Sequence, residues 1–120
     1  MKIVYASRKG NVEALVGKFD FEDVLKLKDG DEVVNEDFVI FFYNDGRGDM
    51  PKLVERFLDN NHVYLRGIVG SGSMQYHADT FNYGAIKASK KYNVPLLGQV
   101  DGQGNKYDVT EIRGKLKALE

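Results

Sequence analysis

The sequence contains no cysteine, and this absence excludes disulfide bonds, thiolate metal sites and thiol catalysis. No apolar run approaches the roughly 20 residues that a membrane-spanning helix needs. The net charge of −1 provides no general attraction for nucleic acid or for an anionic membrane surface. The amino terminus also lacks a cationic leader followed by an apolar signal core. From these absences we expect a cytoplasmic protein that binds neither nucleic acid nor membrane.

The composition is typical of one globular domain. The chain of 120 residues is long enough to bury one hydrophobic core and too short to bury two. Hydrophobic residues make up 42% of the chain and charged residues 29%, which are ordinary proportions for a globular protein. We therefore expect residues 1–120 to form a single domain.

Short apolar runs alternate with amphipathic stretches along the chain. The apolar runs predict strands at residues 2–6, 24–27, 38–43, 63–69 and 94–97. The amphipathic stretches predict helices at residues 12–19, 51–61, 81–92 and 109–119. Asn11 is the predicted N-cap of the first helix. Because strand and helix alternate, the expected architecture is a parallel sheet covered by helices on both faces.

Three polar loops follow predicted strands. The first loop comprises residues 7–11, the second loop residues 44–50 and the third loop residues 70–79. The carboxyl ends of parallel strands meet at one edge of a sheet, and ligands bind where the connections from that edge diverge. The three loops therefore predict a ligand pocket at this edge.

The first loop has the features of a phosphate site. A buried strand leads through it into a helix, whose first N–H groups and dipole favour an anion. The groups that could face a phosphate are the Ser7 hydroxyl, the charges of Arg8 and Lys9, and the N–H groups of Gly10, Asn11 and Val12. The alternative is a capped turn with two solvated cations, because capping and anion binding use the same residue types. The lack of a Gly-Lys-Ser/Thr ending excludes a triphosphate loop.

The second loop contains two glycines, which allow the backbone to turn sharply beside a flat ligand. A peptide unit that flips at Gly46 could present either a carbonyl or an N–H group to such a ligand. The alternative is a flexible connection, since Asn, Asp and Gly are common in turns. The residues assigned to the site in this region are Tyr43, Asn44, Asp45, Gly46, Arg47 and Gly48.

The third loop combines small residues with an aromatic side chain. Tyr76 could stack on an aromatic ligand, and Met74 could pack beside it. The residues assigned to the site in this region are Ser71, Gly72, Ser73, Met74, Gln75, Tyr76, Asp79 and Phe81. His77 could transfer a proton, although a lone histidine in a loop is more often a surface residue. Because His62 and His77 are far apart in the sequence and no carboxylates cluster with them, we expect no metal site.

Four motifs along the chain resemble those of one protein family. They are Ser7-x-x-Gly10-Asn11-Val12, Gly46-x-Gly48-x-x-Pro51, Leu65-Arg66-Gly67-Ile68-Val69-Gly70-Ser71-Gly72 and Lys91-Tyr92-Asn93-Val94-Pro95-Leu96-Leu97. Their order and spacing are similar to those of the NrdI-type flavodoxins, the flavin-binding activators of class Ib ribonucleotide reductase. The resemblance covers nearly the whole chain.

The resemblance implies a flavodoxin-like three-layer α/β sandwich with a five-stranded parallel sheet in the strand order 2-1-3-4-5. It implies noncovalent FMN, with the phosphate on residues 7–12 and the ring between residues 43–48 and 72–79. Family members pass electrons from the flavin to oxygen, and the superoxide or peroxide formed drives radical-cofactor assembly in the small subunit of the reductase. The implied partners are the class Ib small subunit, molecular oxygen and an electron-donating reductase.

The chain departs from the family pattern at several positions. Lys9 stands where the family usually has threonine, Arg47 replaces a phenylalanine, and residues 73–78 differ from the usual Asn-Arg-Asn-Trp-Gly loop. Two other functions therefore stay open: a general electron-transfer flavodoxin, and a flavodoxin-like interaction module that binds no flavin. We also expect Arg47 to stabilise the anionic reduced flavin, which carboxylates at Asp45 and Asp49 would disfavour.

Overall fold

The computed structural model describes residues 1–45 and 48–120. The strands in this part of the chain are β1 (Lys2–Tyr5), β2 (Val24–Lys26), β3 (Phe38–Tyr43), β4 (Leu65–Gly72) and β5 (Leu96–Asp101). They form one sheet in the order β2-β1-β3-β4-β5, and every neighbouring pair is parallel. The predicted five-stranded parallel sheet and its strand order are confirmed.

Helices cover both faces of the sheet and complete the three layers. They are α1 (Asn11–Gly17), α2 (Lys52–Asn61), α3 (Met74–His77), α4 (Tyr83–Tyr92) and α5 (Lys106–Leu119), with 3-10 turns at His62–Tyr64 and Ala78–Thr80. Buried side chains of α1 and α5 pack on one face, and those of α2 and α4 pack on the other. Among the described residues, no helix has the length and apolar character needed to cross a membrane.

The central strand β3 divides its side chains between the two cores. Phe38, Ile40 and Phe42 face α2 and α4, whereas Val39 and Phe41 face α1 and α5, and all five are fully buried. A strand covered on both faces has no polar side, because successive side chains point in opposite directions into apolar layers. This requirement explains the uninterrupted apolar run in the sequence.

The predicted ends of β4 and β5 are wrong. β4 begins at Leu65, after the 3-10 turn, and continues through Gly70 and Gly72, while β5 continues to Asp101. The sequence pattern places both glycines in the third loop, but the structure places them in the strand. A Cβ atom at Gly70 would lie 2.5 Å from the Cβ atom of Ala85 in α4, so this glycine permits close helix packing instead of ending the strand.

The ends of the helices also differ from the prediction. Gly10, with φ 92°, is the N-cap of α1, and Asn11 is the first residue of that helix. A glycine caps it because the backbone turns there through a conformation that other residues rarely adopt. The Ser7 hydroxyl oxygen accepts a hydrogen bond from the Glu13 N–H group at 3.2 Å and caps the helix in place of Asn11. At α5, the side chain of Asn105 forms a capping box and starts the helix three residues earlier than predicted.

A polar contact ties β1, α1 and β2 together beside the first loop. The Tyr5 hydroxyl donates to Glu13 Oε1 at 2.8 Å, and Lys26 Nζ contacts the same oxygen at 2.8 Å. Burial, and then the hydrogen bond to Glu13, raises the pKa of Tyr5 to about 12. The contacts with Lys26 and Tyr5 lower the pKa of Glu13. The neutral phenol and the charged carboxylate are therefore both favoured in the folded protein.

We predict that Tyr5→Phe lowers the free energy of unfolding at pH 7 by about 1–2 kcal/mol, because a hydrogen bond to a charged group is lost. The folded state raises the pKa of Tyr5 to about 12. The contribution of this phenol is thus complete below the unfolded pKa of about 10 and is lost as the pH rises further. Urea unfolding at pH 7 and between pH 9 and 12 measures the difference. Tyr107→Phe, at an exposed position of α5, is the control. A difference between Tyr5→Phe and the wild type that stays constant across this pH range would contradict the prediction.

Candidate functional site

The carboxyl ends of β1, β3 and β4 open into one pocket of about 810 Å³. This volume lies within the range of small-molecule and cofactor sites. Its walls come from the three loops that follow these strands and from the residues just before α4. The residues that line it are Ser7, Arg8, Lys9, Asn11, Val12, Tyr43, Asn44, Asp45, Gly48, Ser71, Gly72, Ser73, Tyr76, His77, Thr80, Phe81 and Asn82.

The first loop brings the amino-terminal end of α1 to the pocket. Asn11 and Val12, the first residues of this helix, line the cavity together with Ser7, Arg8 and Lys9. The first N–H groups of a helix have no acceptor within the helix. In α1 that of Glu13 donates to Ser7, and an anion can bind to those of Asn11 and Val12. Of the predicted phosphate-binding residues, all except Gly10 therefore line the pocket.

Arg8 connects the first loop to the second. Its Nη1 atom lies 2.8 Å from Asp45 Oδ1, and its guanidinium carbon lies 4.8 Å from the centre of the Tyr43 ring. Burial raises the pKa of the Tyr43 phenol, and the nearby Arg8 offsets part of this change. A cation and an aromatic ring thus lie side by side between the helix terminus and the second loop.

The base of the second loop is tightly hydrogen-bonded. Asp45 and Asp49 exchange two backbone hydrogen bonds, with N···O distances of 2.7 and 2.8 Å. Gly48, with φ 92°, is buried between them and α4, and a Cβ atom there would lie 2.7 Å from the Cβ atom of Tyr83. The predicted peptide flip at Gly46 and the predicted role of Arg47 lie outside the described residues.

Only some of the predicted site residues of the third loop line the pocket. Ser71, Gly72, Ser73, Tyr76 and Phe81 line the pocket. Ser71 and Gly72 do so as the last residues of β4. Tyr76 is 75% exposed, so this wall is open to solvent.

Among the predicted site residues that the structure describes, four do not line the pocket: Gly10, Met74, Gln75 and Asp79. Met74, Gln75 and Asp79 do not line the pocket because the third loop is largely helical. Residues 74–77 form α3, and residues 78–80 form a 3-10 turn. Consecutive residues of a helix point in different directions, so they cannot all face one cavity. Gly10 shapes the entry to α1 through its backbone.

Three lining residues are absent from the predicted set: His77, Thr80 and Asn82. Thr80 Oγ1 is buried and has no hydrogen-bond partner among the described residues. Asn82 is fully buried and has a positive φ of 56° just before α4. The sequence signal for Asn82 is weak, although asparagine tolerates this backbone region better than most residues.

The chemistry of the pocket suits a ligand with an anionic group and an apolar ring. The pocket offers helix N–H groups, a hydroxyl and two cationic side chains, and the aromatic side chains of Tyr43, Tyr76 and Phe81 line it as well. Within the described ranges, no three histidine, aspartate or glutamate side chains are grouped in a way that could hold a metal ion.

Comparisons of sequence agree with this geometry. The model of the family described as NrdI flavodoxin-like matches residues 3–114. Protein NrdI of Bacillus licheniformis is 38% identical over 109 residues, which cover 91% of this chain and 82% of that protein.

Comparisons of structure show the same fold in two flavodoxins. One is a short-chain flavodoxin associated with a bacterial microcompartment, with a TM-score of 0.67, 20% identity, and coverage of 99% of this chain and 97% of that one. The other is the Streptococcus pneumonia TIGR4 flavodoxin, with a TM-score of 0.70, 20% identity, and coverage of 98% and 95%. At this identity the likeness concerns the fold alone.

We predict that Gly10→Ala lowers the free energy of unfolding by about 1–2 kcal/mol, because a Cβ atom disfavours positive φ. Gly17→Ala, at the other end of α1, is the matched control. A methyl group would meet open space at both positions, but only Gly10 has a positive φ. Gly17→Ala should leave stability unchanged or raise it by up to about 1 kcal/mol. Equal losses in urea unfolding of the two variants would show that the backbone at Gly10 does not require glycine.

Proposed function

The chain belongs to the NrdI flavodoxin-like family, and on this basis we propose that it binds FMN and passes electrons to oxygen for a class Ib ribonucleotide reductase. Membership of a flavodoxin-like family implies flavin binding. The observation that carries the proposal is the pocket at the carboxyl edge of the sheet, which joins a helix terminus to aromatic side chains. In this fold, that edge is where ligands bind.

The first loop supports the proposal for the phosphate of FMN. The Ser7 hydroxyl and the first N–H groups of α1 would hold the phosphate oxygens, with Arg8 and Lys9 supplying positive charge. Lys9 takes the place of a threonine of the family pattern, so a charge replaces a hydroxyl donor there. The site keeps enough donors for a dianion.

The second and third loops support the proposal for the flavin ring. Tyr43 and Phe81 present apolar surface inside the pocket, and Tyr76 stands at its exposed wall. Thr80 Oγ1 is a buried hydroxyl without a partner in the described part of the chain, which suits a site completed by a ligand. These residues would orient the ring and keep part of it away from water.

The bound flavin would supply the redox chemistry, and the protein would control access to it. The wall at Tyr76 is open, so oxygen and a partner protein can approach from that side. Tyr43 would cover part of the flavin ring, and the charges of Arg8 and Asp45 would contribute to its electrostatic environment. An electron-donating reductase and the class Ib small subunit are the proposed partners, and the cytoplasm is the proposed compartment.

The first test is equilibrium titration with FMN and with riboflavin, which lacks the phosphate. We predict that FMN binds at least about tenfold more tightly, because the contacts of a charged phosphate are worth more than about 1.4 kcal/mol. Gly10→Ala should reduce this preference, while Gly17→Ala should not. Equal affinity for the two flavins would contradict phosphate binding at the first loop. A protein that binds neither flavin would support the interaction module instead.

The second test measures the reaction with oxygen. We predict that the reduced FMN complex is oxidised rapidly by oxygen and that it allows radical formation in a metal-loaded class Ib small subunit. Stopped-flow absorbance and electron paramagnetic resonance measure these two steps. Slow oxidation without radical formation, in a protein that holds FMN normally, would favour the electron-transfer flavodoxin.

A further inference from the structure

We propose that Asn82 is a positioning residue that fixes Asn44, Asp45 and Asp49, the described base of the second loop, against the sheet, and this proposal rests on the proposed function. Asn82 lines the pocket from the segment before α4, and its side chain is fully buried. It acts through Asn44, the first residue of the second loop. The two side chains are hydrogen-bonded to each other, and both residues line the pocket.

The backbone at Asn82 has an unusual conformation that directs its side chain inward. Its φ of 56° and ψ of 24° lie in the left-handed region, which asparagine tolerates. Its Nδ2 atom donates to the Val100 carbonyl at 3.3 Å, and its Oδ1 atom accepts from Asn44 Nδ2 at 2.6 Å. The side chain thus links β5 to the second loop.

Asn44 uses every hydrogen-bonding group of its side chain. Nδ2 donates to Asn82 and also to the Ser71 carbonyl at 3.0 Å, while Oδ1 accepts from the Gly84 N–H group at 2.7 Å. Its backbone N–H group donates to the same Ser71 carbonyl at 3.1 Å. An amide side chain has two donor hydrogens, and both are engaged here. Asn44 is therefore held from β4, from the segment before α4 and from α4 itself.

Two glycines make room for the pair of amides. A Cβ atom at Gly70 would lie 2.6 Å from Asn82 Oδ1, and a Cβ atom at Gly84 would lie 2.7 Å from Asn44 Oδ1. At both distances a Cβ atom would clash with the amide oxygen and displace the amide. Glycine at these two positions therefore leaves the space that the side chains of Asn44 and Asn82 occupy.

The support of Asn44 extends to Asp45 and Asp49. Asp45 follows directly and pairs with Asp49 through two backbone hydrogen bonds. A buried amide is costly unless its partners are in place, so these hydrogen bonds favour the arrangement seen in the structure. This arrangement holds Asn44 and Asp45 at the pocket wall, and through them Asn82 affects the affinity and the potential of a bound flavin.

The decisive variant is Asn82→Gly, which removes both hydrogen bonds of the side chain and keeps a residue that accepts positive φ. Asn93→Gly is the matched control, because Asn93 has φ 54° at the other end of α4, is exposed, and does not line the pocket. Asn44→Ala removes the same hydrogen bond at a residue that is only half-buried. This variant replaces Asn82→Gly if Asn82→Gly does not fold.

The ligand-free protein gives the first readout. Amide hydrogen exchange at Asp45 and Asp49 should be roughly tenfold or more faster in Asn82→Gly and Asn44→Ala than in the wild type, because their shared support is lost. Asn93→Gly should match the wild type. Unchanged exchange in both pocket variants would overturn the proposal.

The FMN complex gives the second readout. Asn82→Gly should raise the dissociation constant of FMN by roughly tenfold, a loss of about 1.4 kcal/mol, and should change the visible circular dichroism and the midpoint potential of the flavin. Asn93→Gly should stay within about twofold. The double variant Asn44→Ala/Asn82→Gly should bind no more weakly than the weaker single variant, and fully additive losses would overturn the link between the two residues.

The two readouts separate this proposal from the proposed function. If the wild type binds no FMN, the proposed function fails, and the exchange experiment on the ligand-free protein still decides whether Asn82 holds the second loop. If the wild type binds FMN and the variants keep its affinity, spectrum and potential, the function stands and Asn82 is not a positioning residue.

Discussion

The parallel pairing of β1, β3 and β4 is the constraint on which the site depends. Because these strands run in the same direction, the segments that follow them emerge at one edge of the sheet. The chain leaves β1 towards β2 on one side, and later strands extend the sheet on the other side. The connections therefore diverge between β1 and β3 and leave a crevice there. Arg8 and Asp45, which follow these two strands, meet across it.

The fold could be predicted because its determinants are local in the sequence. Residues 38–43 form an uninterrupted apolar run, which only a strand buried on both faces needs, and the structure buries five of these six residues completely. The ends of the strands were harder to predict from the sequence. Gly70 looks like a loop residue in the sequence, but its missing side chain serves contact with α4, and that contact joins positions far apart in the chain.

The site was predictable where backbone geometry follows from sequence order, and less so where side chains from different elements combine. Asn11 and Val12 reach the pocket because a helix starts there. Met74 does not, because a short helix replaces the expected loop. Asn82 could not be found from the sequence, since its importance lies in its contact with Asn44, which is 38 residues away in the chain. Hydrophobic periodicity in a sequence does not indicate which distant polar side chains are hydrogen-bonded to each other.

We propose that the helix N–H groups, Ser7 and the two cationic side chains hold a phosphate, and that Tyr43, Tyr76 and Phe81 lie beside a ring. The most direct test of this arrangement is the change in amide nitrogen and proton chemical shifts as FMN is added. The expected shifts concentrate in residues 7–12, 43–45 and 71–82 and leave the opposite edge of the sheet, such as residues 62–64, unchanged. Shifts confined to that opposite edge, or no shifts at all, would contradict the central claim.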